Sequence, residues 1–175
     1  MKSLSTTALM ALMALIFSPS SFAVTFTEQL MRPINDGIGI EERVYDGVLP
    51  TEEHKITLPA ARDEHGRVHC VQLLRALMNA PLTDHWHEGR KLKTSWSEVK
   101  PGTAIATFKQ GRYPQRQKGH GGKHAAIFLR ATDSGIYVFD QFSGARVATE
   151  RFIPWHNPRD RKLSNNAASY STVRW

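Results

Sequence analysis

The chain has 175 residues, which is enough for one domain of ordinary size. Hydrophobic residues make up 41% and charged residues 22%, so intrinsic disorder, collagen and coiled coil are excluded as descriptions of the whole chain. Lysine and arginine outnumber aspartate and glutamate by 23 to 16, a formal net charge of +7, and the single cysteine excludes an internal disulfide framework and a multi-thiolate metal site.

Residues 1–23 have the pattern of a secretory signal peptide. Lys2 supplies a short basic region, residues 8–17 (ALMALMALIF) form an apolar run, and the small residues Ser21 and Ala23 favour cleavage after Ala23. The run is too short to span a bilayer, which needs about 20 residues. We therefore expect a periplasmic or secreted protein with no stable membrane anchor after cleavage. In an oxidising compartment an unpaired cysteine is inert and buried, bonded to another chain, or kept for its reactivity.

The mature chain begins with an irregular segment and continues into one folded domain. Residues 24–61 carry turn signals without clear periodicity, so we expect an N-terminal lead-in there and a domain over residues 62–175. Residues 70–79 (CVQLLRALMN) place apolar side chains on one stripe, which predicts a helix that Pro81 ends.

The remainder of the domain is typical of β-structure. Its strand candidates are residues 103–108, 124–130, 136–142, 147–153 and 170–175. Residues 131–135 predict a hairpin loop between the second and third of these strands. One early helix followed by about five strands predicts an α+β domain in which the helix packs on an antiparallel sheet.

Cys70 is the first candidate for chemistry because it opens the predicted helix. The free N–H groups and partial positive charge of a helix N-terminus stabilise a thiolate, and the same groups can hold an oxyanion. The alternative at this position is a small, buried and inert side chain.

His124 and Asp140 are the second and third candidates. His124 begins a strand after two glycines, and Asp140 is an acid in an otherwise apolar strand, where a carboxylate needs a partner. Side chains alternate along strands, so a hairpin whose loop is centred on Thr132 would place the two residues directly opposite each other. A register two residues longer would leave them diagonal neighbours on the same face. The alternatives are an exposed histidine at a strand end and an aspartate facing water on an edge strand.

The order Cys, His, Asp indicates acyl transfer by a nucleophilic thiol. In this scheme His124 takes the proton of the Cys70 thiol and later protonates the leaving amine, while Asp140 orients the imidazole and stabilises its charged form. The expected reaction is amide hydrolysis through a thioester.

These residues resemble the papain-like NlpC and CHAP superfamily of cell-wall cysteine peptidases and amidases. The shared pattern is a cysteine that opens a helix, Lys100-Pro101-Gly102 before an apolar strand, a glycine-preceded histidine strand, and a strand ending in an acid and glutamine. The chain is most similar to the type VI secretion amidase effectors that cut the peptidoglycan crosslink between diaminopimelate and D-alanine. This resemblance implies a papain-like fold, Cys70 as nucleophile, His124 as base, Asp140 as orienting acid, and an inhibitory immunity protein as partner if the protein is a toxin.

Four further residues are candidates for substrate binding. Gln141 follows the acid, His69 precedes the cysteine, Trp86 follows the helix, and Arg112 belongs to a loop, residues 109–123, with five lysines and arginines and no acid. Such a loop can attract the carboxylates of peptidoglycan stems. The alternatives are a core position for Trp86, simple exposure for His69, and a solvated loop for the basic segment. Alternation would point Gln141 away from the face of Asp140.

We expect no metal, no cofactor and no nucleic-acid partner. His85 and His87, and separately His120 and His124, suggest zinc ligands, but the glycines between the second pair do not favour the helix that would place both on one face. The chain has no nucleic-acid-binding motif to accompany its positive charge.

The sequence therefore predicts an exported cysteine hydrolase that acts on amide bonds of peptidoglycan stem peptides or crosslinks. Two alternatives stay open. One is a non-catalytic protein that binds the cell wall or a partner on the same scaffold. The other is a papain-like acyltransferase, in which an amine replaces water as acceptor.

Overall fold

The computed structural model describes residues 41–115, 122–160 and 162–175. The predicted signal peptide, the first part of the predicted lead-in and residues 116–121 of the basic loop lie outside the described residues. Among the helices of the described ranges, none combines the length and the apolar character needed to cross a bilayer.

A seven-stranded antiparallel sheet forms the framework of the fold. Its strands are β1 (Leu58–Pro59), β2 (His87–Lys91), β3 (Ala104–Thr107), β4 (Ala125–Thr132), β5 (Gly135–Asp140), β6 (Val147–Pro154) and β7 (Tyr170–Arg174). They lie side by side in the order β1-β6-β5-β4-β3-β7-β2. The predicted α+β class is confirmed, but the sheet has two more strands than the five expected. The extra strands, β1 and β2, are its two edges. β1 has only two residues and β2 (HEGRK) is polar throughout, so neither has the apolar alternation that marks a strand in a sequence.

Helix α1 (Cys70–Met78) packs on one face of this sheet, mainly against β4. Its buried side chains belong to one core cluster with Ala104, Ala106 and Ala125 of the central strands, and such small residues allow a helix to approach a sheet closely. Asn79 ends the helix in the left-handed conformation at φ 50°, two residues before the predicted stop at Pro81.

A second, shorter helix and a turn cover the opposite face. Helix α2 (Leu92–Ser95) and the 3₁₀ turn Ala167–Ser169 bury Leu92 and Ala167 against Ile105, Phe128 and Val138. The central strands are therefore buried on both faces. This explains why β3, β4 and β5 are nearly continuous apolar runs in the sequence.

A β-bulge sets the register of the β4–β5 hairpin. At the turn Thr132 pairs with Gly135, a register that would put His124 and Asp140 on opposite faces of the sheet. One extra residue, Leu129, lies between Phe128 and Arg130 and shifts the register, so that Ile127 pairs with Phe139. Continued by one residue, this register places Asp140 opposite Ala126, which leaves His124 diagonal to it. This is the longer of the two registers that the sequence predicts.

Candidate active site

Three chain segments meet beside the N-terminus of α1. Cys70 is the first residue of the helix, His124 lies directly before β4, and Asp140 is the last residue of β5. Cys70 and His124 line a cleft of about 510 Å³, together with Tyr113, Lys123 and Phe142. The structure thus brings together the three residues to which the sequence assigns the chemistry.

His124 and Asp140 form a buried hydrogen-bonded pair. His124 Nε2 lies 2.8 Å from Asp140 Oδ2, and the two residues are 5% and 1% exposed. The same oxygen accepts hydrogen bonds from Arg151 Nε at 2.8 Å and from Arg151 Nη2 at 2.5 Å. Burial raises the pKa of the Asp140 carboxyl, but the hydrogen bonds and positive charges of His124 and Arg151 outweigh burial and leave its pKa below the ordinary value. Asp140 is therefore an anion with two cationic neighbours.

The backbone fixes the position of His124. Its N–H donates to Thr107 Oγ1 and its carbonyl accepts from the Thr107 N–H, both at 3.0 Å. Gly122 has φ +67°, and a Cβ there would lie 3.0 Å from the backbone nitrogen of Ser164, so glycine allows the chain to pass close to the turn around Ser164. With Nε2 turned to Asp140, the second ring nitrogen, Nδ1, remains for the thiol.

The protonation of His124 and Cys70 is coupled. Burial lowers the pKa of His124, but hydrogen bonding to Asp140 and to Cys70 outweighs burial and raises it to about 9. Burial raises the pKa of the Cys70 thiol, but the hydrogen bond and charge of His124, and then the hydrogen bond of Tyr113, bring it below its ordinary value. Both shifts favour the form of the pair in which a thiolate lies beside an imidazolium, the form in which a thiol attacks.

Gln141 lies away from the cleft and ties the site to the preceding chain. The fully buried side chain accepts a hydrogen bond from the Ala61 N–H and donates to the carbonyls of Ala61 and His69, all three at 2.8 Å. Because His69 directly precedes Cys70, this amide fixes the backbone at the start of α1. In this place Gln141 has no access to a substrate in the cleft.

The other three candidates for substrate binding occupy different places. His69 is exposed and lines the cleft. Trp86 is 1% exposed and packs on Tyr113 and Trp175. It therefore occupies a core position, the alternative to substrate binding that the sequence offers for this residue. Arg112 is exposed and pairs through its backbone with Lys109, outside the residues that line the cleft.

Sequence reasoning missed two side chains that contact the site. Arg151, on β6, donates two hydrogen bonds to Asp140, and the hydroxyl of Tyr113 lies 3.6 Å from Cys70 Sγ. The partner of Arg151 depends on the order of strands in the sheet, which the sequence does not reveal. An aromatic residue within an otherwise polar and basic loop was the only available signal for Tyr113.

Metal ligands are not assembled in the parts of the chain that the structure describes, since no three His, Cys, Asp or Glu side chains cluster there around a common point. His85 and His87 are exposed, and His120 lies outside the described residues.

Comparison with known proteins identifies the family of the chain. The profile of the family "Dae2: Domesticated amidase effector 2" matches residues 53–173. The type VI secretion amidase effector 2 protein of Salmonella typhi is 32% identical over an alignment of 114 residues, and the match covers 59% of this chain and 83% of that protein. The solved structure of a type 6 secretion amidase effector 2 (Tae2) superposes with a TM-score of 0.55 at 28% identity, over 66% of this chain and 86% of the other. These matches confirm the resemblance predicted from the sequence, and the protein belongs to the Tae2/Dae2 amidase effector family.

Proposed function

We propose that this protein is a cysteine hydrolase that cleaves amide bonds in peptidoglycan stem peptides or crosslinks. The observation that carries this proposal is the meeting of a helix-opening thiol, Cys70, with the buried His124–Asp140 pair in one cleft of an amidase-effector fold. A cysteine-bearing helix packed on a sheet that carries the histidine and the acid is also the arrangement of a papain-like hydrolase.

The chemistry follows from the protonation states of the three residues. The Cys70 thiolate attacks the amide carbonyl carbon, and the carbonyl electron pair moves onto the oxygen. As the tetrahedral intermediate collapses, the C–N bond breaks and the imidazolium of His124 gives its proton to the leaving amine. A water molecule, deprotonated by His124, then attacks the thioester and releases the acid product and the free thiol.

Asp140 and Arg151 assist without touching the substrate. The Asp140 carboxylate stabilises the imidazolium and holds the ring so that Nδ1 faces the thiol. Arg151 keeps Asp140 ionised and fixed in place, and is itself anchored by Asn165 Oδ1 at 3.1 Å. Asp140 is thus an orienting acid, and Arg151 is a positioning residue that acts through it.

Peptidoglycan is the proposed substrate because its chemistry suits the cleft and the expected location. Lys123 is exposed on the lining of the cleft, where it can meet the carboxylates of stem peptides. The N-terminal signal pattern, with cleavage after Ala23, would deliver the protein to the periplasm or the exterior, where cell wall is found. If the protein acts as a toxin, an immunity protein that covers this cleft is the expected partner.

Digestion of purified sacculi tests the proposal. The purified protein should convert crosslinked muropeptide dimers into monomers whose mass spectra identify the bond that is cut. Cys70→Ala should lower that rate by a factor on the order of 10³ or more, because the nucleophile is lost while the fold is kept. A thermal unfolding curve should confirm that the variant is folded.

Two other results would each overturn the proposal. If the protein pellets with sacculi but releases nothing, it is a wall-binding protein. If the products carry an added amine in place of one water, it is an acyltransferase.

A further inference from the structure

Tyr113 combines deep burial with a hydroxyl group directed at the reacting sulfur. The residue is 4% exposed, and its hydroxyl oxygen lies 3.6 Å from Cys70 Sγ. In the described ranges the sulfur is the only hydrogen-bond partner of this hydroxyl. Buried polar groups normally have a partner of their own, so a hydroxyl that faces only the nucleophile calls for an explanation in the chemistry.

The surroundings hold the tyrosine ring in this position. Trp86 packs on it in a T-shaped contact with the ring centroids 5.2 Å apart, and Trp175 in turn stacks on Trp86 with the centroids 5.9 Å apart. Trp86 is itself fixed by a hydrogen bond from its Nε1 to the Pro81 carbonyl at 3.2 Å. The hydroxyl is therefore already in place before any substrate binds, as electrostatic catalysis requires.

The hydroxyl also stays protonated. Burial, and then the negative charge of the Cys70 thiolate, raise the pKa of Tyr113 far above its ordinary value. The pKa of the Cys70 thiol is shifted in the opposite direction. In this contact the hydroxyl is consequently the donor and the sulfur is the acceptor.

We propose that Tyr113 is a further catalytic residue, whose hydroxyl donates a hydrogen bond to the Cys70 thiolate in the resting protein and to the oxyanion of the tetrahedral intermediate. This inference rests on the proposed function. When the S–C bond forms, the charge leaves the sulfur and appears on the former carbonyl oxygen, which is separated from Sγ only by the carbon that joins them. Tyr113 keeps its proton throughout, and the proton for the leaving amine still comes from His124.

The catalytic gain comes from the difference between the two acceptors. Both acceptors are anions, but the charge of a thiolate is spread over a large sulfur atom, and the contact here is 3.6 Å long. An oxyanion concentrates its charge on a smaller atom and accepts a shorter and stronger hydrogen bond from a hydroxyl. The interaction therefore strengthens as the reaction proceeds, and such an interaction raises kcat.

Tyr113→Phe tests this role because it removes one oxygen atom and keeps the ring that packs on Trp86. Two readouts are needed: the turnover of sacculi, and the pH profile of Cys70 alkylation by iodoacetamide, which requires no wall substrate. Tyr137→Phe is the matched control. It makes the same change on a partly buried tyrosine that contacts Phe152 and Arg130 and does not line the cleft.

We expect Tyr113→Phe to lower kcat by a factor on the order of 10² with little change in KM, the size reported for loss of one oxyanion donor. We also expect the midpoint of its alkylation profile to move to higher pH, because the thiolate loses a donor. Tyr137→Phe should change neither quantity.

The two readouts separate this inference from the proposed function. If the parent protein does not hydrolyse sacculi but Tyr113→Phe still moves the alkylation midpoint upward, the substrate is wrong and the Tyr113–thiolate interaction is supported. If Tyr113→Phe, folded by its thermal unfolding curve, keeps the alkylation profile and turns over sacculi within about twofold of the parent, the inference is overturned, since the expected loss is on the order of 10².

Discussion

The hydrogen bonds that the described residues make to the Asp140 carboxylate all end on one of its two oxygen atoms. His124 Nε2 and both donating nitrogens of Arg151 converge on Oδ2. A negative charge at the buried end of a strand would be costly without them, and each cation alone would leave part of that cost uncompensated. At the scale of the residue, Asp140 thus orients the imidazole of His124, and Arg151 fixes the position of Asp140.

Replacement of Arg151 should make the folded protein more sensitive to acid, because Asp140 depends on Arg151 to stay ionised. The pKa of Asp140 is held below its ordinary value of 3.8, so its ionisation contributes stability that is present above that value and is lost as pH falls through the lower, folded pKa. Arg151→Leu removes one cause of the lowered pKa. We expect acid unfolding to begin at higher pH in this variant, and kcat to fall with KM nearly unchanged, as measured by circular dichroism against pH and by turnover of sacculi.

A conservative variant and a distant arginine serve as controls for Arg151. Arg151→Lys keeps the charge without the two-nitrogen grip, so it should recover part of the acid stability. Arg174→Leu removes an exposed arginine that donates to the Glu88 carbonyl, and should leave the acid midpoint in place. An acid midpoint in Arg151→Leu equal to that of the parent would contradict the positioning role.

At the scale of elements, the bulge at Leu129 decides whether the site can form. Without the extra residue, the register set at the Thr132–Gly135 turn would continue along the hairpin and separate His124 from Asp140. Leu129 also fills space under α1, where it is 3% exposed. The extra backbone residue therefore sets the register of the hairpin, whereas the leucine side chain contributes to core packing.

Two changes at this position separate register from packing. Leu129→Ala should lower the free energy of unfolding by about 2–5 kcal/mol, because it leaves a cavity, and should retain activity at temperatures where the protein is folded. Deletion of Leu129 should abolish turnover even in the molecules that fold, because it would place His124 and Asp140 on opposite faces of the sheet. Denaturant titration and turnover measure the two effects, and a deletion variant that is folded and as active as Leu129→Ala would refute the argument.

The elements that the sequence predicts well are those whose environment is uniform. Helix α1 presents one apolar stripe to the sheet, and β3 to β6 combine apolar and β-branched residues, so both the period and the composition point to the right structure. The edge strands are short or polar and have no such signal. Because His124 and Asp140 are both even-numbered, side-chain alternation correctly predicts that they lie on the same face of the hairpin. That prediction depends on the register shift at the Leu129 bulge, for which the sequence has no recognisable signal.

The members of the site that escaped prediction are those whose partners depend on tertiary structure. Arg151 reaches Asp140 because β6 lies next to β5, and Tyr113 reaches Cys70 because a loop folds over the helix N-terminus. For Trp86 and Gln141 the sequence suggests substrate contact, but both side chains are buried. Trp86 packs against Tyr113, and Gln141 hydrogen-bonds to the backbone directly before Cys70.

At the scale of the whole molecule, the positive charge of the protein should make its binding to the proposed anionic substrate sensitive to salt. The net charge is +7, and Lys123 adds a local charge at the cleft. We expect association with sacculi, measured by co-sedimentation, to weaken between about 0.1 M and 1 M salt, over which the Debye length contracts from about 10 Å to about 3 Å. Binding that is insensitive to salt over this range would show that charge does not drive it.

A pair of lysine variants distinguishes the local charge from the net charge. Lys123→Gln should raise KM by about two- to fivefold with kcat nearly unchanged, the size expected for one exposed ion pair. Lys93→Gln on α2 makes the same change in net charge at an exposed position away from the cleft, and should leave KM unchanged. Equal effects of the two variants would assign the attraction to overall charge.

The position of β7 has a consequence for how the protein is made. This strand is the last in chain order, yet it lies inside the sheet between β3 and β2. Among the described residues β2 forms its ladder with β7, apart from an isolated bridge between His87 and Arg112. Until residues 170–174 have been synthesised, β2 and β3 therefore each keep an edge whose backbone N–H and C=O groups lack the strand that pairs with them. A fragment that stops before Tyr170 would expose both edges and be prone to aggregation.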